Sequence, residues 1–338
     1  MSTRIFRKVF VAGLAVLLTL ILTSCASSPS FETDHAGRGA AASNGWTFKQ
    51  TVQIVCPWGV GGGAAETLKA FTEAMESEIG VSVVVNYKPG ENGMTGVKYF
   101  SSQEQNGYVY LLCTQSPLIE QVNGNTGFDV YGTLKPLCRL VKDCSILVAK
   151  ADAPYNNYEE LEAYVKENGA SCGMMTIDGL DGLNVSALCG GSISKLAYKE
   201  GTALNNALVA GSIDLACVGF AETAPLLEAG TLKVILVFSD NALTQPGFEN
   251  VSTSKDAGIK ASYGPARGIF YLEGTPEKAV EAFEAAAKAA VDSDVFQAYL
   301  TANGLSKEDG WLSKADYEAE WKADYEGLRA SLKSKTAP

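Results

Sequence analysis

The feature that most constrains the fold is a glycine-rich loop between a predicted strand and a predicted helix. The apolar run 52–56 predicts a buried strand, which Pro57 ends. Four of the five residues 59–63 are glycines, and apolar residues spaced three and four apart over 68–79 then predict an amphipathic helix. A strand, a glycine loop and a helix N-terminus in this order present bare backbone N–H groups to an anion. The sequence therefore predicts an anion site at the end of the first strand.

Length and charge narrow the class of protein. A chain of 338 residues exceeds the usual size of a single core, which favours two lobes. The formal net charge of -11 argues against nucleic acid as a partner, because phosphate binding needs clustered Lys and Arg. A small anionic ligand stays possible, since local N–H groups can outweigh a distant negative field.

The N-terminus predicts export. Basic residues precede an apolar run over 9–22, and Leu-Thr-Ser-Cys at 22–25 looks like a bacterial lipobox. We therefore expect a lipoprotein signal peptide over 1–24, a lipid on Cys25 that attaches the protein to the membrane, and a flexible tether over 25–46. The localisation would be extracytoplasmic, at the cell surface or in the periplasm. An uncleaved membrane anchor is disfavoured, because the apolar run is shorter than the ~20 residues of a spanning helix.

The cysteines and the histidine of the sequence argue against a redox-active cysteine pair and against a nucleophile activated by histidine. Seven further cysteines, an odd number without a C-x-x-C pair, are interpreted as buried small hydrophobes. The one histidine, His35, lies in the predicted tether, so no histidine can activate a nucleophile inside the fold. Asp178, Asp181 and Glu222 have no recognised calcium-loop spacing and are interpreted as helix caps or ligand contacts. We expect neither a metal nor a cofactor.

The pattern of the first loop recurs along the chain. A second apolar strand over 81–85 leads into a glycine-rich loop over 88–96, and a third strand over 108–114 ends at Gln115-Ser116-Pro117. Repetition of strand, loop and helix predicts a parallel sheet with its ligand loops at the carboxyl ends of the strands. From residue 146 a second α/β unit with its own turns follows.

Several of these segments resemble one family in order and spacing, over about residues 50–306. Residues 57–62 look like the P-F-x-P-G-G loop of the tripartite tricarboxylate transporter solute-binding proteins, of the TctC or Bug type. Residues 83–96 resemble their V-V-V-E-N-R-P-G-A-G-G-x-x-G block, and Asn-Gly-Tyr at 106–108 is similar to their D-G-Y. Further similar segments follow in family order at 198–199, 211–215, 229–233, 256–258 and 274–276.

The chain departs from the family pattern at side chains rather than at glycines. Ala65 stands where the family has an aspartate, with Glu66 beside it, and Lys69 stands for its arginine. Asn-Tyr at 86–87 replaces the family's E-N pair, and Val218 replaces an aspartate. We therefore expect a retained backbone cradle with altered side-chain chemistry around the ligand.

The resemblance implies a non-enzymatic, monomeric binding protein with a two-lobed periplasmic-binding-protein (Venus-flytrap) fold. Two α/β domains joined by crossover strands would comprise a first lobe of 47–145 plus 267–338 and a second lobe of 146–266. A small carboxylate would bind in the cleft between them and be delivered to integral membrane transporter subunits. The implied ligand contacts are Trp58, Gly61, Gly62, Gly63, Gly90, Asn92, Gly93, Met94, Thr95, Thr114, Ser116, Asp178, Gly179 and Glu222.

Three alternatives remain beside this interpretation. Residues 59–64 fit G-x-G-x-x-A after a strand, which could hold a dinucleotide in an exported enzyme, but Asn86-Tyr87 stand where an acidic residue is needed. A ligand-sensing lipoprotein would use the same cleft for a different partner. A purely structural surface lipoprotein is disfavoured by two glycine loops at strand ends.

Overall fold

The computed structural model describes residues 45–199, 201–243, 245, 247–305, 307 and 309–335, the last five by their backbone alone. The predicted signal peptide, the predicted lipidation site Cys25 and nearly all of the predicted tether lie outside the described residues. Trp46, the last residue of that tether, packs its ring against Phe48 and Tyr108. No helix of the described part is long and apolar enough to span a membrane.

The first of two mixed sheets contains the glycine-loop strand. Its order is β2-β1-β3-β10-β4, with β1 parallel to its two neighbours and β10 antiparallel to both of its own. Its strands are β1 (Val52–Cys56), β2 (Val83–Tyr87), β3 (Val109–Cys113), β4 (Leu134–Lys142) and β10 (Ala266–Leu272). The accompanying helices are α1 (Gly63–Ile79), α2 (Met94–Ser101), α3 (Ser116–Val122), α4 (Val130–Thr133), α9 (Glu277–Asp292), α10 (Asp294–Ala302) and α11 (Lys314–Lys335).

The second sheet has the order β7-β6-β8-β5-β9. Here β6 is parallel to both neighbours, and β5 is antiparallel to both of its own. Its strands are β5 (Ser145–Lys150), β6 (Ala170–Met174), β7 (Ile193–Ala197), β8 (Leu215–Gly219) and β9 (Leu232–Val237). Its helices are α5 (Tyr158–Asn168), α6 (Leu180–Ser186), α7 (Gly201–Val209) and α8 (Phe220–Glu228).

The prediction of a parallel sheet is therefore wrong in one respect. Strand–helix–strand repeats do make β1, β2 and β3 parallel, as the pattern indicated. However, β5 and β10 each enter their sheet from the other sheet, without a helix that would set a parallel crossover. The direction of such a strand depends on contacts between distant parts of the chain, which local periodicity does not report.

Helices cover both faces of each sheet. On one face of the first sheet Phe283 packs on Tyr110 and on Phe71, which in turn packs on Phe296; all four side chains are fully buried. On the opposite face Tyr317 and Trp321 of α11 pack on Phe270 of β10, so the final helix serves packing. Among the seven described cysteines six are buried and Cys144 is half-buried; all seven are free, as expected.

Two short segments connect the sheets, and they lie directly against each other. Asp143 and Cys144 separate β4 from β5, and the chain returns to β10 through Gly264 and Pro265. The backbone N–H of Asp143 donates to the carbonyl of Pro265 at 3.1 Å. A Cβ on Gly264 would lie 2.0 Å from the carbonyl oxygen of Asp143. The two crossovers can approach this closely only because residue 264 has no side chain.

We expect Gly264→Ala to lower the free energy of unfolding by about 2 kcal/mol or more, because the methyl group meets backbone rather than a movable side chain. For a domain pair of this size that corresponds to a fall in the thermal midpoint of about 5 °C or more. The control is Gly127→Ala, because a Cβ there meets nothing within 4 Å. Equal midpoints for the two variants, measured by circular dichroism, would contradict the close packing of the crossovers.

Candidate functional site

Loops from both sheets converge on a cavity of about 350 Å³. From the first sheet it is lined by Gly61, Gly62 and Gly63, at the end of β1 and the start of α1. From the second sheet it is lined by Gly219 and Glu222, at the end of β8 and in the first turn of α8. The remaining lining includes Asp143, Arg267 and Tyr299. A small molecule here would touch both sheets and one crossover.

A second, smaller cavity of about 140 Å³ also has walls from both sheets. Asn92 and Ser116 contribute from the loops after β2 and β3, and Asp178 and Gly179 contribute from the loop after β6. Together the two cavities bring eight of the fourteen predicted ligand contacts to the space between the sheets: Gly61, Gly62, Gly63, Asn92, Ser116, Asp178, Gly179 and Glu222.

The other six predicted contacts do not line these two cavities; four of them support the loops. Trp58 is half-buried, and a Cβ added to Gly93 would lie 3.3 Å from its ring. Thr95 donates its backbone N–H to the carbonyl of Gly90 at 3.4 Å. The second loop is thus packed on the first, and Gly93, at φ +91°, is buried rather than open to an approaching ligand.

Of the remaining two, one lines a different cavity. Thr114 accepts a hydrogen bond from the backbone N–H of Ser116 at 3.3 Å and so shapes the turn after β3. Met94 lines a third, open cavity beside Lys98 and Glu120, away from the glycines of the first loop.

The start of α1 provides the backbone donors that the sequence predicted. Gly62 is its N-cap residue and supplies no side-chain hydrogen bond to the first turn. The first N–H groups of a helix have no intrahelical partner and carry the positive end of the helix dipole. Gly61 adopts φ +86°, a left-handed conformation that favours glycine. The exposed glycines therefore leave these N–H groups accessible from the cavity.

Sequence reasoning missed Arg267, the cationic side chain of this cavity. Arg267 is the second residue of β10 and only 8% exposed, and its Nη2 donates to Oδ2 of Asp143 at 2.6 Å. The guanidinium also lies over Gly63, because a Cβ on that glycine would be 2.6 Å from Nη2. A single arginine at the start of a strand belongs to no local sequence pattern that would predict a binding role. The larger cavity could therefore offer an anion both backbone donors and a guanidinium.

Acidic side chains from the helices of the second sheet line both cavities, Glu222 the larger one and Asp181 the smaller one. Asp181, in the first turn of α6, accepts hydrogen bonds from Ser145 Oγ at 2.6 Å and Cys217 Sγ at 3.6 Å. Burial raises the pKa of Asp181 against these hydrogen bonds, which lower it. Partial removal from water, with Asp181 and Asp143 nearby, raises the pKa of Glu222, and Arg267 acts in the opposite direction. No group of acidic, histidine or cysteine side chains in the described ranges could hold a metal ion.

Comparison with known proteins defines the class. The chain has the fold of a TctC solute-binding protein from Polaromonas, with a TM-score of 0.74 at 23% identity over 85% of this chain and 99% of that one. It also has the fold of Rpa4515 from R. palustris, solved with adipate, with a TM-score of 0.70 at 20% identity over 84% and 97% of the two chains. The fold is thus that of the periplasmic binding proteins.

The sequence itself identifies the family. The model described as "Tripartite tricarboxylate transporter family receptor", TctC, matches residues 68–319. A relative in Bordetella pertussis, a UPF0065 protein, is 25% identical over 288 residues, which cover 79% of this chain and 84% of the relative. The chain belongs to the TctC family of extracytoplasmic solute-binding receptors, as its motifs indicated, and this is a receptor family rather than a family of enzymes.

Gly63→Ala tests whether Arg267 needs the glycine beside it. The new methyl group would displace the end of a flexible side chain, so we expect normal folding but at least a tenfold weaker affinity for a bound carboxylate. Gly59→Ala is the control from the same loop, because a Cβ there meets nothing within 4 Å and Gly59 does not line the cavity. Calorimetric titration of both variants with a carboxylate that the parent binds would give the two affinities. Equal affinities would exclude a role for the guanidinium position.

Proposed function

We propose that this protein captures a small carboxylate between its two sheets and delivers it to integral membrane transporter subunits. The observation that carries the proposal is the cavity in which the open N-terminus of α1 and the guanidinium of Arg267 meet loops of the second sheet. Membership of the TctC receptor family and the adipate in the R. palustris structure are consistent with it.

The donors available at this cavity are sufficient for useful affinity. A charge-assisted hydrogen bond from a backbone N–H or a guanidinium to a carboxylate contributes about 1.5–3 kcal/mol. Micromolar binding requires about 8 kcal/mol after ordering costs, so a ligand needs four or more such bonds. The N–H groups at the start of α1 together with Arg267 can supply this number.

We further propose that the sheets belong to two lobes, 47–145 plus 267–338 and 146–266, that close on the ligand. The paired crossovers at Asp143 and Gly264 are short, as a hinge requires. Leu180 and Leu183 of α6, on the second sheet, pack against the apolar cluster around α3 and α11 of the first. An apolar contact between the lobes would favour the closed arrangement once the ligand neutralises the charges between them.

A ligand screen tests this function. We expect adipate or a related small carboxylate to raise the thermal midpoint and to bind with micromolar affinity by calorimetry. The bound form should have a smaller radius of gyration in small-angle scattering than the free form. NAD serves as the control for the dinucleotide alternative. Stabilisation by NAD but by no carboxylate would refute the proposal, and binding with an unchanged radius would refute closure alone.

The membrane attachment is proposed from the lipobox at residues 22–25. Acyl chains on Cys25 would contribute about 0.8 kcal/mol per buried CH₂ and so hold the protein at the membrane. We expect Cys25→Ala to appear in the soluble fraction of cells, while Cys56→Ala, which changes a buried thiol in β1, stays with the membranes. A Cys25→Ala protein that remains membrane-bound after signal cleavage would identify some other anchor.

A further inference from the structure

Negative side chains outnumber positive ones in the two cavities between the sheets. The larger cavity is lined by Glu66, Asp143 and Glu222, with Arg267 as its cation. The smaller cavity is lined by three further carboxylates and, among the described residues, no basic side chain; its acids are Glu120, Asp178 and Asp181. A ligand that carries only carboxylates would meet attraction at one point and repulsion at several.

Arg267 is nevertheless available to a ligand. Within the described residues its side chain makes one hydrogen bond, from Nη2 to Asp143, and the other N–H groups of the guanidinium make none. The side chain lines the larger cavity, and none of its nitrogens is both fully buried and without a partner. These donors are therefore open to the cavity, where an anionic group could accept hydrogen bonds from them.

Glu222 lines the same cavity as Arg267, and Asp181 lines the smaller cavity. Within the described part of the chain, no ion pair joins either carboxylate to a lysine or an arginine. Asp143 has Arg267 as its partner, and a ligand carboxylate that binds the guanidinium would compete with that pair. Burial is the main reason that the pKa values of Asp181 and Glu222 are raised, and neighbouring carboxylates raise them further.

We propose that the ligand carries an ammonium group as well as a carboxylate, as a zwitterionic amino acid does. Its carboxylate binds the free N–H groups of Arg267 and the start of α1, and its ammonium group faces Glu222 and Asp143. The ligand carboxylate would compete with Asp143 for Arg267, and the ligand's ammonium group would then pair with Asp143 in its place. The same ammonium group would also face Glu222, which has no salt-bridge partner among the described residues. This inference rests on the proposed function, since it names the ligand class of the same cavity.

The test compares acids that differ only in the amino group. The pairs are alanine and propionate, phenylalanine and 3-phenylpropionate, aspartate and succinate, and glutamate and glutarate, with adipate as the carboxylate reference. Thermal shift at millimolar ligand selects the pair that binds the mature protein, and calorimetry measures both members. We expect the amino member to bind at least tenfold more tightly than its partner.

Glu222→Gln locates the ammonium group. Among the described residues the Glu222 side chain makes no hydrogen bond or ion pair, so the variant should fold normally and lose the preference for the amino member. The control is Glu228→Gln, at the other end of α8, which should keep that preference.

Each outcome decides between the claims. A preference that Glu222→Gln removes and Glu228→Gln keeps supports the inference. A preference unaffected by Glu222→Gln refutes the placement of the ammonium group. Tighter binding of adipate or of the desamino acids refutes the inference and leaves carboxylate capture intact. Failure of every compound to bind contradicts the inference and the proposed function together.

Discussion

The ion pair between Arg267 and Asp143 connects the two crossovers to the larger cavity. Asp143 lies in one crossover, and Arg267 is the second residue of the strand that the other crossover enters. The backbone bond from Asp143 to Pro265 and the close approach at Gly264 hold the same two segments together. Because the guanidinium also lies over Gly63, one side chain contacts both the first loop and a crossover. A ligand that binds Arg267 would therefore also contact the ion pair between the crossovers.

Much of the local structure around the first sheet could be predicted from sequence. The apolar spacing of Leu68, Phe71 and Met75 indicated the buried face of α1, and all three are fully buried. The bounds of α9 were likewise predictable, since its alanine-rich run lies between Pro276 and Ser293. Such features depend on neighbours three or four residues apart, which is the range over which a sequence pattern reports directly on structure.

The features that local patterns could not predict are those that distant residues create. The antiparallel entry of β10 depends on β3 and β4, and the position of Arg267 over Gly63 joins the start of the fold to its last strand. The sequence predicts an open ligand loop at Gly93, whereas Trp58 and Pro117 surround this glycine in the fold. Glycines therefore marked where the loops are, but not which of them face the ligand.

The acidic side chains between the sheets change which ligand we expect, because the backbone alone would favour a simple anion. A helix N-terminus with exposed glycines favours an anion, and Arg267 strengthens that preference at one wall. Across the larger cavity Glu222 favours the opposite sign, as Asp181 does in the smaller cavity. The two walls come from different sheets, so a ligand with both charges gains most when the sheets approach each other. Recognition and closure would then depend on the same contacts.

Hydrogen–deuterium exchange with saturating ligand tests most directly whether one ligand is held by both sheets. The account predicts simultaneous protection of residues 60–66 at the start of α1 and residues 219–223 at the start of α8, with α5 unchanged. Protection of the first segment alone, or of neither, would contradict binding between the sheets.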